Sequence, residues 1–184
     1  AYAGQEVITG GIVTAVDSDG YYIQHATGDG DRATSDGIFV FTSGAPTVAV
    51  GDVVTITGSV QEFLPGNNTD NLTVTRIIPA SVVVESSGNA LPAAVLIGTG
   101  GILPPTEAYD SDGFSIFNPE VDGLDFYESL EGMRVTIDAP IVTSPTNGFG
   151  ETTVVASGGA GATGVNSRGG TTISAGDFNP ERIQ

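Results

Sequence analysis

The residues of this sequence that could do chemistry are almost all aspartates in glycine-rich loops. The stretch "DGDRATSD" (residues 29–36) brings Asp29, Asp31 and Asp36 together in one short loop. Carboxylate oxygens are the ligands that hard cations such as Ca²⁺ prefer. These three side chains therefore form a candidate calcium site, and calcium is the only cofactor that the sequence suggests. A solvated acidic loop is the simpler alternative and stays favoured.

A second acidic phrase occurs twice, as "DSDGYYI" (residues 17–23) and "DSDGFSI" (residues 110–116). A calcium loop is one alternative for this phrase, since Asp17 and Asp19, and Asp110 and Asp112, offer paired carboxylates. An EF-hand loop, however, has glycine at its sixth position and a bidentate glutamate at its twelfth, and this phrase has neither, so a turn is favoured. Asp-Gly before an alternating aromatic run instead predicts a hairpin turn, with Gly20 and Gly113 at positive φ. Strands should follow both turns. The residues expected on one face of these strands are Tyr21, Ile23, Phe114 and Ile116.

Catalytic constellations are missing from the sequence. His25 is the only histidine, "IQHATG" gives it no serine elbow, and Gly-x-Ser-x-Gly occurs nowhere. A phosphate-binding P-loop needs lysine, and the chain contains none. Paired carboxylates of the glycosidase kind lack a tryptophan platform beside them. We therefore expect a protein that is not an enzyme, with His25 as a polar residue at a strand end.

Two sequons lie close together, Asn67-Asn68-Thr69 and Asn71-Leu72-Thr73, on a predicted hairpin tip. Asn67 and Asn71 are candidate glycosylation sites where a glycosylation system exists, and a chance match in a polar turn is the alternative.

The charge of the chain limits its partners. Asp and Glu number 22, Lys and Arg number 5, and the formal net charge is −17. Such a chain repels a phosphate backbone, so nucleic-acid binding by this chain alone is not expected. No apolar run approaches the ~18 residues of a membrane span. High acidity without lysine or cysteine is compatible with an extracellular location, secreted or at the cell surface.

Strand signals dominate the chain, because β-branched runs alternate with Gly, Pro, Asn and Asp turns. Only "LDFYESLEG" (124–132) could be helical. The second half repeats the order of the first less regularly, with "SVVVES" (81–86) as its opening strand. The sequence predicts an all-β protein with two consecutive OB-like β-barrel modules, at residues 1–79 and 80–184, the second degenerate. Predicted strands are 6–16, 21–25, 37–42, 52–63, 71–78, 81–86, 93–98, 110–117, 130–144 and 151–157.

The sequence "GDGDRATSDGIFVFT…VAVGDVVTITGSVQEF" resembles that of the OB-fold-like modules that precede the catalytic domain in secreted bacterial nucleases of the endonuclease/exonuclease/phosphatase type. The resemblance is strongest over residues 29–63, resumes at "LEGMRVTI", and ends at "DFNPERIQ" (177–184), where those proteins begin their nuclease domain. It implies an OB barrel without catalytic residues, since the chemistry of those enzymes belongs to a separate metal-dependent domain. An OB surface often holds nucleic acid, and Tyr21, Tyr22, Phe39 and Phe41 could form a stacking platform. Strand alternation favours placing much of that set in the core.

Three functions fit these observations. The preferred one is a non-enzymatic extracellular building block of a fibre, matrix or surface coat, whose partners are copies of itself added through strand edges or through residues 1–9 and 181–184. The second is the accessory region of a secreted nuclease. The third is a carbohydrate- or calcium-binding module, with glycans as partners.

Overall fold

A computed structural model of the protein describes residues 2–69 and 71–184, which divide into two compact units. The all-β class is confirmed, because strands predominate and helix is scarce in these residues. Within the same ranges, no helix has the length and apolar character needed to cross a membrane. The first unit contains the chain up to Asp31, Ser35–Ala93 and Glu131–Arg134, and the second contains Arg32–Thr34, Ala94–Leu130 and Val135–Gln184.

The first unit is a closed five-stranded barrel with the strand order β1-β2-β3-β5-β4. All pairs are antiparallel except β3 with β5, which are parallel. This is the topology expected of an OB-type barrel. The strands are β1 (Glu6–Val16), β2 (Gly20–Gln24), β3 (Gly37–Phe41), β4 (Val53–Phe63) and β5 (Val74–Ser86).

Alternating apolar residues fill the barrel, because successive side chains of a strand point to opposite faces. In β2, for example, Tyr21 and Ile23 lie in the core, and in β4 Val54 and Ile56 do the same. Val48, from the connection between β3 and β4, packs among them. The buried set is Val13, Tyr21, Ile23, Val40, Val48, Val54, Ile56 and Ile77.

Strand β5 continues through the module boundary expected between residues 79 and 80. Thr57 pairs with Ser81 and Gly58 with Pro79, so Ala80 is the extra residue of a β-bulge. A bulge tolerates proline, which has no backbone N–H for the ladder. Gly58 is required opposite it, because a Cβ there would lie 2.5 Å from the Ile78 carbonyl oxygen. The predicted strands 71–78 and 81–86 are therefore one strand.

The second unit consists of short strands, one helix and long connections. Where the repeat predicts a degenerate second module, β6 (Val95–Ile97) pairs in parallel with β7 (Val135–Ile137). β8 (Ile141–Val142) pairs antiparallel with β9 (Val154–Val155). The single α-helix of the described residues, α1 (Gly123–Glu128), lies within the predicted helical segment apart from its first residue. Two 3₁₀ turns lie at Pro65–Asn67 in the first unit and Ser157–Gly159 in the second.

The strand predicted at residues 110–117 is wrong. Gly113 and Phe114 both have positive φ, at 71° and 60°, which breaks an extended strand. Gly20, in the first copy of the phrase, is not among the residues with positive φ and instead begins β2. A Cβ at Gly20 would clash with the Val40 carbonyl oxygen. The repeated phrase thus adopts two different structures.

The core of the second unit includes the last residues of the chain. Phe126 of α1 and Asn179 are fully buried, and Glu181 is nearly so. The Tyr127 hydroxyl donates to the Pro180 carbonyl oxygen at 2.9 Å, and Ile183 forms a β-bridge with Val154. The segment predicted to mark a domain junction is therefore packed into this unit.

We predict that Gly58→Ala destabilises the barrel by about 2 kcal/mol, because the new methyl group overlaps the Ile78 carbonyl and the Ile77 side chain. Urea unfolding followed by circular dichroism measures the change. Gly44→Ala is the matched control, since a Cβ there meets nothing within 4 Å. Equal unfolding midpoints for the two variants would contradict the close approach at Gly58.

Candidate functional site

The outer surface of the barrel carries aromatic side chains on three strands and an arginine on a fourth. Tyr22, Phe39, Arg76 and Gln61 are successive register partners on β2, β3, β5 and β4. Cross-strand partners point to the same face of a sheet. Phe41 and Phe63 lie two residues beyond Phe39 and Gln61. We call this surface the aromatic face and define it by Tyr22, Phe39, Phe41, Phe63 and Arg76.

Ring contacts hold the aromatic face together. The rings of Tyr22 and Phe39 have centroids 4.8 Å apart in a tilted arrangement. The Arg76 guanidinium lies 4.1 Å from the Phe41 ring centroid and 3.9 Å from that of Phe63. Arg76 Nε also donates to Gln61 Oε1 at 2.8 Å. The arginine is therefore fixed between two rings as a cation–π partner.

Of the four aromatic residues expected mainly in the core, only Tyr21 lies there. Burial raises the pKa of Tyr21 to about 12, and its hydroxyl has no hydrogen-bond partner among the described residues. Tyr22, Phe39 and Phe41 are partly exposed on the outer face. Alternation separates Tyr21 from Tyr22 but does not say which one faces inward.

The electrostatic surroundings of the aromatic face are acidic. Partial burial raises the pKa of Tyr22, and the carboxylates of Asp17, Glu131 and Asp19 raise it further. Flat rings can stack on such a surface, whereas a phosphate would meet one engaged arginine and several carboxylates. The arrangement suits an uncharged ring better than a phosphate backbone.

The predicted calcium loop is organised by hydrogen bonds within itself. Asp36 Oδ1 accepts from the Asp29 N–H at 3.0 Å, and Asp29 Oδ1 accepts from the Asp31 N–H at 2.8 Å. The ligand atoms of Asp29, Asp31 and Asp36 do not form a close group of three in the described structure. Calcium binding by this loop stays a prediction.

His25 follows the last residue of β2, as expected for a polar residue at a strand end. Its N–H donates to the Asp36 carbonyl oxygen at 2.9 Å. Its Nδ1 accepts from the Thr27 N–H at 3.4 Å. These contacts assign His25 to the packing of the loop.

The two sequons lie in the exposed connection between β4 and β5. Asn67 is the last residue of a 3₁₀ turn and has a φ of 51°. The Asn71 side chain donates to the Pro65 carbonyl oxygen at 3.0 Å. Asn71 therefore has a structural role in this loop, and glycosylation at both positions stays a prediction.

Strand β5 presents an edge beyond its bulge. All of residues 81–86 except Glu85 pair with β4 on one side, and within the described ranges they pair with no strand on the other. All six are exposed. Val82 and Val84 are register partners of the buried residues Ile56 and Val54. They therefore lie on the same face of the sheet as the barrel core, although they are exposed.

Sequence reasoning missed one acidic side chain. Asp122, directly before α1, has a carboxylate oxygen close to those of Asp110 and Asp112. Asp122 belongs to no recognisable phrase, since it lies in the ordinary sequence "EVDGLD". Asp before a short helical stretch is an N-cap signal, and that signal alone gives no reason to assign a ligand.

The fold and these surfaces define an all-β protein with a closed five-stranded barrel and acidic loops. Residues 83–184, more than half of the chain, match the family model of a domain of unknown function, DUF8508. The chain belongs to that family. Searches of curated proteins and of solved structures gave no significant match.

We expect Arg76→Ala to lower the unfolding free energy by about 1–2 kcal/mol, because it removes two ring contacts and the bond to Gln61. Urea unfolding measures the loss. Arg168→Ala makes the same charge change at an exposed residue and should leave the midpoint nearly unchanged. A similar loss in both variants would assign the effect to net charge.

Proposed function

We propose that this chain is a non-enzymatic, extracellular OB-barrel region that accompanies the catalytic domain of a secreted nuclease of the endonuclease/exonuclease/phosphatase type. The observation that carries the proposal is the barrel order β1-β2-β3-β5-β4, because two of its five strands lie where the sequence resemblance to such modules is strongest. β3, one partner of the parallel pair with β5, and β4, which pairs with both β1 and β5, lie within residues 29–63.

The pairing of residues 4–9 and 181–183 within their own units also supports an accessory module over a fibre subunit. Glu6–Val16 form β1, which pairs with β2 on one side and with β4 on the other. Before it, the Gly4 N–H donates to the Val60 carbonyl oxygen at 2.8 Å. Near the other end, Glu181 is buried and Ile183 pairs with Val154. The segments that head-to-tail growth would donate are thus used inside their own units.

The aromatic face is the ligand surface of this proposed module. The outer side of strands β2 and β3 is where OB barrels hold extended ligands. Its acidic surroundings favour a neutral sugar chain of the extracellular matrix over DNA. Contact with DNA then belongs to the catalytic domain, and this region acts as an anchor or spacer.

Peptide mapping of the native secreted protein tests the assignment. Cleavage after acidic residues should yield a peptide that runs from the "RIQ" segment past Gln184 into further sequence, with the His, Asp, Asn and Glu residues of a metal-dependent nuclease beyond it. The purified 184-residue chain should not nick plasmid DNA. A secreted protein that ends at Gln184, or nicking by the chain itself, would contradict the proposal.

A second function, assembly of copies of this chain, is favoured by the exposed edge of β5. The residues "SVVVES" (81–86) offer unpaired backbone groups beside three exposed valines. Two copies could pair their β5 edges antiparallel, which would cover Val82 and Val84 and extend both sheets. Such an interface is isologous and produces a dimer unless other contacts add to it.

Sedimentation equilibrium separates the two functions. If copies pair through β5, the chain should form dimers or larger species, and Val83→Lys should restore the monomer because lysine on an edge strand opposes pairing. Val50→Lys is the matched control, since Val50 lies in a turn and is 51% exposed against 52% for Val83. A wild-type chain that stays monomeric at high concentration would exclude assembly through this edge.

A further inference from the structure

The second unit brings three carboxylates to one point. One ligand oxygen each from Asp110, Asp112 and Asp122 lies within 4.8 Å of the other two. Two oxygens on opposite sides of a Ca²⁺ ion, each at about 2.4 Å, are about 4.8 Å apart. The separation of the three oxygens is therefore compatible with ligands of one Ca²⁺ ion. In the described structure, no ion pair links any of them to an arginine.

Asp122 supplies an independent indication that a cation belongs there. Its side chain is buried, with the residue 3% exposed, and Oδ1 has no hydrogen-bond partner among the described residues. It occupies the N-cap position of α1, yet it makes no side-chain cap bond. An N-cap aspartate ordinarily accepts from an N–H in the first turn. Here the carboxylate instead lies beside those of Asp110 and Asp112.

Burial makes this arrangement costly without a positive partner. A buried carboxylate that lacks a donor or a counter-charge is strongly unfavourable, and two more carboxylates nearby add repulsion. A bound divalent cation removes both penalties at once. Buried polar groups without a partner are uncommon in native proteins, and a missing ion is one of the explanations for them.

The loop from residue 110 to residue 115 fixes the other two carboxylates. Asp110 Oδ1 accepts from the N–H groups of Asp112, Gly113 and Phe114 at 3.1–3.2 Å. Asp112 Oδ1 accepts from the Ser115 N–H at 2.8 Å. The N–H of Phe114, followed by those of Asp112 and Gly113, holds the pKa of Asp110 below its usual range, against a smaller opposing effect of burial. Each carboxylate has a second oxygen that these backbone bonds do not use.

We propose that Asp110, Asp112 and Asp122 form a Ca²⁺ site in the second unit. The donors are all oxygens, which hard cations such as Ca²⁺ prefer, whereas zinc sites usually include His or Cys. Calcium accepts six to eight oxygens in irregular geometry, whereas Mg²⁺ demands a near-octahedral shell. An irregular loop and a helix N-cap suit the more tolerant ion. Water and backbone carbonyls complete its coordination.

The first copy of the repeated phrase provides a built-in comparison. Asp17 and Asp19 occupy the same places in "DSDG" as Asp110 and Asp112. There the phrase forms the tight turn between β1 and β2, with the Asp17 N–H donating to the Gly20 carbonyl oxygen at 2.8 Å. A third carboxylate does not join them in the described residues. The phrase alone therefore does not form the proposed site, which also requires the carboxylate of Asp122.

Isothermal titration of the full chain with CaCl₂, after removal of metal, tests the proposal. We expect one Ca²⁺ per chain and a melting temperature at least about 5 °C higher with saturating calcium, because a ligand that binds only the folded state stabilises it. Asp112→Asn should weaken binding at least about tenfold, since affinity follows the charge of the ligand set. Asp19→Asn is the matched control and should bind like wild type.

Two further variants assign the location. Asp122→Asn should lose calcium binding while the calcium-free protein melts no lower than wild type, because the change removes a buried uncompensated charge. A purely structural aspartate would lower that melting temperature. Asp36→Asn should bind like wild type, and loss of binding there would transfer the site to the loop at residues 29–36.

The proposal is overturned if wild type takes up no Ca²⁺ at about 10 mM, well above the range of extracellular calcium modules. It is equally overturned if Asp112→Asn binds as tightly as wild type. Asp112 is exposed, so this variant should fold and keeps the test valid even if Asp122→Asn does not.

Discussion

The parallel pairing of β3 with β5 is the constraint on which the first unit depends. Only Phe39 with Arg76 and Val40 with Ile77 are in register there, yet these two pairs close the barrel. Closure buries Val40 and Ile77 on the inside. It also brings Phe39 and Phe41 beside Arg76 on the outside, so the core and the aromatic face arise from the same short contact.

The bulge at Ala80 separates the part of β5 that closes the barrel from the part that forms an exposed edge. Before the bulge, β5 pairs with both β3 and β4, and beyond it β5 pairs only with β4 in the described structure. Pro79 and Gly58 make the bulge compatible with close strand approach. The same strand therefore supplies a core residue, Ile77, and an exposed edge, residues 81–86. Because β5 loses β3 as a partner beyond the bulge, its free edge could accept a further strand while the barrel stays closed.

The sequence predicted the first four strands of the barrel well, because alternation of apolar residues between Gly- and Asp-rich turns is a local signal. β1 matches its predicted bounds, and β2, β3 and β4 differ by a residue at one or both ends. The continuation of β5 through residues 79 and 80 could not be predicted, because Pro79 resembles a strand end and only its pairing with Gly58 shows that the strand continues through a bulge. Whether Tyr21 or Tyr22 faces inward depends on the pairing with β3, where Tyr21 is the partner of Val40 and Tyr22 the partner of Phe39. This orientation is therefore set by long-range contacts. In the second unit, β6 to β9 have two or three residues each, too few for alternation to specify them.

The aspartates of this chain show why an acidic composition predicts loops better than it predicts ligands. Asp29, Asp36, Asp110 and Asp112 each accept a backbone N–H within their own loop. Such bonds compensate part of the cost of the turn conformation and hold the negative charge close to N–H dipoles. Asp122 differs, since it is buried and its Oδ1 accepts nothing from the described residues. A functional assignment therefore depends on the aspartate whose backbone surroundings leave it uncompensated, and only tertiary structure distinguishes it from the others.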